Sequence, residues 1–262
     1  MTTVLSPHIL FGSSKPFVPP AWTTTDDRIR GGASISHLDP LPNNCARFYG
    51  HLDTSTLGGA GFASQFSPED GSWDLSAYDG IELEFQEGDG KVYTFILKDE
   101  EMSGKRDDGR EKAVISWEVE FRAGQREEEE KEEGDGSEAI KKEKSAPTRV
   151  WVPWEDFKAT YRGKEKKDAG ELKTGEVKRV GIMMRSYFGM QEGDFDIELK
   201  SILARKLTDG DEARRASVLM RNFQVSISGS TDEETQRSNG ERKKGWLEFF
   251  FGPLYGFTTI TA

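Results

Sequence analysis

The chain has 262 residues, and its 36 basic and 47 acidic side chains give a formal net charge of −11. A charge of this sign repels polyphosphate, which argues against nucleic acid as a partner. Cys45 is the only cysteine, so the sequence excludes an internal disulfide framework and a multi-thiolate metal site and favours a reducing compartment.

Residues 1–22 are interpreted as an N-terminal extension. They are rich in Ser and Thr, are interrupted by prolines, and carry Lys15 as their only lysine or arginine. Because the segment lacks both the apolar stretch of a secretory signal and the arginines of a transit peptide, we expect neither. No apolar run in the chain approaches the roughly 20 residues that a membrane-spanning helix needs, so we expect no transmembrane span.

Strand patterns dominate the middle of the chain. Apolar residues alternate with polar ones, or continue on both faces, in six short segments: 81–85, 92–97, 113–121, 149–154, 180–184 and 195–199. We predict that the first two form a hairpin and that the second, apolar on both faces, is central in its sheet. Many short strands without a long helical period predict one all-β domain over residues 23–205, a β-sandwich or jelly roll.

Three segments fall outside this pattern. Residues 125–144 hold a run of glutamates followed by lysines, and we interpret them as a disordered acidic insertion, with an acidic docking segment as the alternative. Residues 206–245 read as a helix or linker, with a weak helical pattern over 211–223. Residues 246–262 are strongly aromatic. We predict that they pack on the domain, and a partner-binding peptide or a peripheral membrane contact between Trp246 and Phe257 remains the alternative.

The sequence offers little support for catalysis. The histidines His8, His37 and His51 lack the spacing of a helical metal pair, and no Gly-x-Ser-x-Gly motif is present. The glycine-rich residues 58–63 lack dinucleotide-binding spacing, and we interpret them as a bend where backbone packs closely. We therefore predict a protein that is not an enzyme and that needs no cofactor or metal.

A dense polar cluster precedes the predicted strands, and it is the candidate partner-binding site. It comprises Asp26, Asp27, Arg28, Arg30, Gly31, Gly32 and Ser34. Charges on a loop can contact a partner, and glycine permits close backbone approach. The alternative is an internal turn locked by Arg–Asp pairs. Arg185, on a mainly apolar strand, is a further candidate and a possible buried partner for one of these aspartates.

Blocks in the same order resemble the complex I intermediate-associated protein family of about thirty kilodaltons. They are Leu10-Phe11-Gly12, Asp26-Asp27-Arg28-Ile29-Arg30-Gly31-Gly32-Ala33-Ser34, Phe48-Tyr49-Gly50, Gly58-Gly59-Ala60-Gly61-Phe62-Ala63-Ser64, Trp73-Asp74-Leu75-Ser76, Tyr78-Asp79-Gly80-Ile81, Trp151-Val152-Pro153-Trp154, Met184-Arg185-Ser186 and Gly193-Asp194-Phe195. The resemblance covers approximately residues 10–205.

The resemblance implies a galactose-binding-like jelly roll and a chaperone-like role in assembling mitochondrial respiratory complex I, the NADH dehydrogenase. Its partners would be subunits or assembly intermediates of that complex, bound without catalysis. A mitochondrial location follows from the resemblance, with a cytoplasmic one as the alternative because no clear presequence is present. Two alternative functions stay open: a cytosolic relative with another protein client, and a carbohydrate-binding sandwich that uses Trp73, Tyr78, Trp151 and Trp154.

Overall fold

The computed structural model describes residues 5–68, 71–101, 104, 113–124 and 148–208. The acidic insertion 125–144 and the aromatic segment 246–262 lie outside these residues, as does the helix or linker beyond residue 208. The predictions made for those three segments therefore stay predictions.

The described residues form thirteen β-strands. In chain order they are β1 (His8–Gly12), β2 (Thr23–Asp26), β3 (Ile35–Pro40), β4 (Ala46–Leu52), β5 (Phe62–Phe66), β6 (Gly80–Glu87), β7 (Val92–Lys98), β8 (Ser116–Arg122), β9 (Thr148–Pro153), β10 (Lys158–Tyr161), β11 (Lys164–Glu165), β12 (Arg179–Arg185) and β13 (Gly193–Arg205). Short 3₁₀ turns, among them Asp27–Arg30, connect some of them.

The strands build two antiparallel sheets. The first sheet has the order β3-β4-β13-β6-β9, and β1 pairs with the second half of the long strand β13. The second sheet has the order β11-β10-β8-β7-β12-β5-β2. The strand order is far from the sequence order, as it is in jelly rolls, and the predicted all-β jelly-roll sandwich is confirmed.

Aromatic and aliphatic side chains from both sheets fill the space between them. Phe48, Phe85 and Phe195 from the first sheet pack near Tyr93 and Phe121 of the second, in ring pairs whose centroids lie 5.2–6.3 Å apart. Offset and edge-on ring pairs of this kind add stability beyond the burial of apolar area. The core therefore holds the two sheets as one rigid scaffold for the loops at their ends.

Two sequence predictions differ from the structure. Residues 81–85 and 92–97 do not form a hairpin, because β6 lies in the first sheet and β7 in the second. The connection between them crosses the sandwich. The sandwich also begins earlier than residue 23, since β1 pairs with β13 and Leu10, Phe17 and Trp22 are buried in the core. The apolar side chains among the prolines of the N-terminal segment account for this difference.

Candidate functional site

Four chain segments far apart in sequence meet at one end of the sandwich. They are residues 26–32, 53–61, 87–91 and 186–194, and we call them together the loop end. Phe62 donates its backbone N–H to Asp27, and Ser186 donates its backbone N–H to the carbonyl of Gly61. Lys91 Nζ donates to the carbonyls of Glu192 and Asp194, 2.8 and 2.6 Å away. These bonds join each segment to its neighbour.

Asp27 is the internal brace of the loop end. Its carboxylate is 1 % exposed and accepts hydrogen bonds from Ser34 N (2.9 Å), Ser34 Oγ (2.5 Å) and Phe62 N (3.2 Å). Gly32 lies against it, because a Cβ on that residue would stand 2.3 Å from Asp27 Oδ1. Asp27 and Ser34 of the predicted cluster are therefore packed inside the protein, and the half-buried Gly32 is packed against Asp27 rather than presented to a partner.

Asp26 and Arg28 form a local ion pair within the same turn. Arg28 Nη2 lies 2.6 Å from Asp26 Oδ2, and Asp26 also caps the 3₁₀ turn by accepting from Arg28 N. The hydrogen bond to Asp26 raises the pKa of the Arg28 guanidinium. Gly31 ends the turn at φ +84°, a conformation that glycine adopts without strain. The Arg–Asp lock was one of the two sequence interpretations, and the structure contains it.

Arg28 and Arg30 are the exposed charged members of the predicted cluster. The Arg30 guanidinium lies over the Phe62 ring, 5.8 Å from its centroid. Among the described residues, no carboxylate pairs with Arg30. The turn thus has a buried acidic side and an exposed basic side, and the exposed side is available to a partner.

The glycines of residues 58–61 let neighbouring backbone approach closely. A Cβ on Gly61 would lie 2.3 Å from the carbonyl oxygen of Asp53, and the carbonyl of Gly59 accepts a 2.8 Å hydrogen bond from Ser186 Oγ. The bend predicted at residues 58–63 is present in the structure, just before β5. Its role is to join residues 53–61 to residues 186–194.

The connection between β12 and β13 carries a protruding apolar pair, Phe188 and Met190. They are 89 % and 57 % exposed, the largest values for big apolar side chains among the described residues. Tyr187 and Phe188 both have positive φ, +46° and +59°. That conformation is rare for bulky residues and costs on the order of 1–3 kcal/mol each, and such strain is typical of functional loops. We call Phe188 and Met190 the apolar knob.

The loop that carries the knob is held firmly. Met190 N and Gln191 N both donate to the carbonyl of Ser186, at 2.9 and 3.3 Å. The Gln191 side chain bonds to both backbone groups of Val92 and donates to the carbonyl of Arg185. Hydrogen-bonded loops of this kind lose little conformational entropy when a partner binds.

Arg185 supports this loop from the outer face of the second sheet. The sequence analysis proposed one of the aspartates of the 26–32 turn as its partner. In the structure, Arg185 does not reach these aspartates. It pairs instead with Glu118 (3.0 Å) and Glu120 (3.4 Å) on β8, and its guanidinium lies 4.9 Å from the ring centroid of Tyr187. Alternation along β12 explains the difference: Met184 points into the core, so Arg185 points to the opposite face, toward the glutamates of β8.

The charges around Arg185 fix its protonation. Burial lowers the pKa of the guanidinium, but the carboxylate of Glu118 and the neighbouring Tyr187 and Glu120 outweigh that effect, so the pKa is raised. For the Tyr187 hydroxyl, burial has the opposite effect and raises the pKa. This hydroxyl lies 3.2 Å from Thr94 Oγ1. Arg185 therefore stays charged and Tyr187 stays neutral at physiological pH, and both hold the base of the knob loop.

Carboxylates outnumber basic groups at the loop end. The carboxylates are Asp26, Asp27, Asp53, Glu87, Asp89, Glu192 and Asp194, and the basic residues are Arg28, Arg30 and Lys91. Hydrogen bonds from Ser55 and Thr56 lower the pKa of Asp53 to about 2, so this carboxylate is ionised at any physiological pH. The field around the knob is consequently negative, like that of the whole chain.

The aromatic residues considered for carbohydrate binding pack within the domain. Trp73, Tyr78 and Trp154 pack against the core, and Trp151 lies under the Arg205 guanidinium, 4.4 Å from its ring centroid. Within the described ranges, no group of three or more His, Cys, Asp or Glu side chains is arranged to hold a metal ion. No described helix is long and apolar enough to cross a bilayer.

Sequence reasoning missed the knob. Residues Tyr187-Phe188-Gly189-Met190 follow the predicted strand segment 180–184, and the sequence analysis assigned them neither a structure nor a site. The available signal was Gly189, because a glycine directly after two aromatic residues favours a turn that exposes at least one of them.

Two solved structures are similar to this chain. The solved structure of a family 11 carbohydrate-binding module from Clostridium thermocellum, in complex with a mixed-linked tetrasaccharide, matches with a TM-score of 0.49 at 11 % identity, covering 78 % of this chain and 98 % of that one. The same type of module from the cellulase Lic26A-Cel5E matches with a TM-score of 0.47 at 10 % identity, covering 79 % of this chain and 99 % of that one. At these identities the likeness concerns the fold alone.

The sequence comparisons identify the family. The uncharacterized protein C9E9.15 of Schizosaccharomyces pombe is 37 % identical over 201 residues, which cover 75 % of this chain and 83 % of that protein. The model of the family described as complex I intermediate-associated protein 30 matches residues 9–133 and 137–199. This chain therefore belongs to the complex I intermediate-associated protein 30 family.

Proposed function

We propose that the protein is a chaperone-like assembly factor for respiratory complex I. It binds subunits or assembly intermediates of the complex through the loop end and performs no chemistry on them. The family supplies the link to complex I. The geometry of the loop end supports binding as the mode of action.

One observation carries the proposal: family motifs that are distant in sequence converge on the loop end. The blocks that contain Asp27, Gly61, Ser186 and Asp194 all lie there. Their buried members brace backbone rather than form a reactive centre, since Asp27 and Ser186 are both engaged in hydrogen bonds to neighbouring segments. Residues used in this way preserve the shape of loops, and loops on a rigid scaffold are where proteins commonly place binding surfaces.

The proposed mechanism is equilibrium binding by a preorganised surface. The sandwich core and the hydrogen bonds of residues 186–191 fix the loops before a client arrives, so little ordering entropy is lost on binding. A client that is not yet assembled exposes apolar surface that would otherwise aggregate, and covering this surface protects it until its final partner takes over. The cycle needs no nucleotide.

Arg28 and Arg30 are the members of the predicted cluster that we assign to client contact. Both are exposed, and Arg30 has an aromatic contact rather than an ion pair among the described residues. Asp26, Asp27, Gly31, Gly32, Ser34 and Arg185 act indirectly, because they hold the turn and the loop in place. We propose a mitochondrial location with this function, and a cytoplasmic location would go with another protein client.

The test is a strain of the source organism that lacks this protein. We expect fully assembled complex I, measured on native gels and by rotenone-sensitive NADH oxidation, to fall strongly while assembly intermediates accumulate. The full-length chain should restore assembly. A matched control, the chain with Lys166→Ala at an exposed pair distant in sequence from the loop segments, should restore it equally.

Fractionation of the same strain locates the tagged protein. Normal complex I levels in the strain without the protein would overturn the proposed function. Co-purification with a cytoplasmic client, together with normal complex I, would support the alternative of a relative with another client.

A further inference from the structure

We infer that the apolar knob, Phe188 and Met190, is the central contact of the client interface, and that it inserts into an apolar groove with a basic rim on a protein partner. This inference rests on the proposed function for the identity of the client, but the character of the groove follows from the knob and its surroundings.

The exposure of the knob sets it apart from ordinary surface apolar residues. Phe188 is 89 % exposed, whereas Tyr161, another exposed aromatic residue, is 40 % exposed. Met190, two positions along the chain, adds a second exposed apolar side chain, and a methionine adapts its shape to irregular surfaces. An aromatic ring beside an adaptable side chain is typical of the few residues that dominate protein interfaces.

The loop presents the knob in a fixed position. Ser186 Oγ ties the loop to Gly59, and Gln191 ties it to Val92, so both of its ends are anchored to other segments. The strand β12 ends at Arg185, and the positive φ values of Tyr187 and Phe188 are incompatible with its continuation as an extended strand. A strained conformation that exposes an apolar ring does not serve the packing of the domain itself.

The charges beside the apolar knob indicate which kind of partner binds it. The carboxylates of Asp53, Glu192 and Asp194 stand on segments that adjoin the knob, and Asp194 is 92 % exposed. They repel an anionic lipid surface, and they repel a second copy of a chain with net charge −11. They attract lysine and arginine side chains. A protein groove with a basic rim is therefore the partner that suits both the knob and its rim.

The test combines a double variant with cross-linking in full-length protein. Phe188→Ser with Met190→Ser should reduce the recovery of complex I subunits with the tagged protein at least about tenfold, as expected for a central contact. The matched control is Val18→Ser with Tyr161→Ser, which removes exposed apolar side chains elsewhere and should leave recovery unchanged. Thermal unfolding of both variants should match that of the parent, because the substituted side chains are exposed.

A photo-reactive phenylalanine analogue at position 188 identifies the occupant. We expect cross-links to an apolar peptide flanked by lysine or arginine, and we expect recovery to fall as salt rises. The variant Glu192→Gln with Asp194→Asn should weaken this salt dependence. Binding of the parent chain, but not of the knob variant, to vesicles of phosphatidylcholine and cardiolipin would overturn the inference in favour of a membrane. Cross-links between two copies of the chain would overturn it in favour of self-association.

The inference and the proposed function can fail separately. If the strain without the protein lacks complex I but the knob variant restores it fully, the knob inference is wrong and the function stands. If complex I is normal in that strain while position 188 still cross-links to a basic-rimmed apolar groove of another protein, the function is wrong and the knob inference stands.

Discussion

Asp27 and Ser34 are joined by two hydrogen bonds that close the 26–34 turn from inside. Ser34 N donates to Asp27 Oδ1 at 2.9 Å, and Ser34 Oγ donates to Asp27 Oδ2 at 2.5 Å. Ser34 Oγ also accepts from Asp53 N at 3.0 Å, so the pair extends to the next segment of the loop end. A buried carboxylate that accepts only fixed donors is a brace, and the exposed arginines beside it are the part that a partner can reach.

Asp27→Ala should strongly destabilise the domain. The change leaves the N–H groups of Ser34 and Phe62 buried without an acceptor, and the loss of a buried, hydrogen-bonded charge costs about 3 kcal/mol. The free energy of unfolding in urea measures the effect. Arg30→Ala is the control, and it should cost at most about 1 kcal/mol because the side chain is exposed and makes one cation–π contact. Equal losses for the two variants would contradict the assignment of Asp27 as the brace.

Gly61→Ala should disturb the close contact between the two ends of the segment 53–61. The new Cβ would lie 2.3 Å from the backbone carbonyl oxygen of Asp53, and backbone cannot move aside as the end of a flexible side chain can. We expect a loss of about 2 kcal/mol, in the range for overpacked sites. Gly175→Ala is the matched control, since its Cβ would meet Asp74 Oδ1 at an ordinary 3.5 Å and should change stability by less than about 0.5 kcal/mol. A neutral Gly61→Ala would show that Gly61 is not packed against the Asp53 carbonyl as closely as described.

Arg185→Met should cost about 3 to 5 kcal/mol. Glu118 is 8 % exposed, and removal of the guanidinium would leave its carboxylate buried without its cationic partner. Combining Arg185→Met with Glu118→Gln should recover part of the loss, because no buried charge then remains. Chemical unfolding of the two single variants and the double variant gives the coupling energy. The exposed pair Lys166 and Asp168 is the control, and there a coupling of at most about 1 kcal/mol is expected. Coupling of that small size at Arg185 would show that its pair with Glu118 is solvated.

The sequence predicted much of the strand content but not how the strands pair. All six predicted strand segments overlap a strand of the structure, and β7 is central, as its two apolar faces indicated. The strand β2, Thr-Thr-Thr-Asp, escaped prediction because it has no large apolar residues to alternate with polar ones, and its pairing with β5 rather than a local pattern defines it. The predicted hairpin of β6 and β7 was wrong since a short turn-like connection looks the same whether the chain returns in one sheet or crosses to the other.

The sequence predicted where the candidate site lies, but it did not predict which of its residues are buried and which are exposed. The 26–34 cluster lies at the loop end, but its charged residues divide between inside and outside, which one sequence does not reveal. Asp27 is buried whereas Arg30 is exposed, although the two are three positions apart. The sequence could not predict the partner of Arg185 either, because Glu118 becomes its neighbour only through the order of β8, β7 and β12 in the second sheet.

The last prediction concerns Glu84, a buried carboxylate on the outer face of the first sheet. It accepts from Lys200 Nζ at 3.0 Å and from Arg149 at 3.1 Å. Burial raises the pKa of Glu84, but the hydrogen bonds and charges of Lys200 and Arg149 outweigh burial, so the pKa is lowered from its ordinary value of 4.5. The folded state thus binds the proton more weakly than the unfolded chain does, and stability depends on pH wherever the two states differ in protonation.

Because the folded pKa is the lower one, the stability that Glu84 contributes is fully present above pH 4.5 and is lost as the pH falls through the folded pKa. Glu84→Gln should therefore cost about 1.5 to 3 kcal/mol at pH 7, the range for hydrogen bonds to charged groups, and the difference from the parent should narrow below pH 4.5. Urea unfolding of both proteins, from pH 7 to below pH 4.5, measures how the two free energies of unfolding converge.

Glu171→Gln, at an exposed site, is the control and should have the same stability as the parent at every pH. A difference between Glu84→Gln and the parent that stays constant with pH would show that the carboxylate and the amide make equivalent contacts, and that the ionic pairing of Glu84 does not stabilise the sheet.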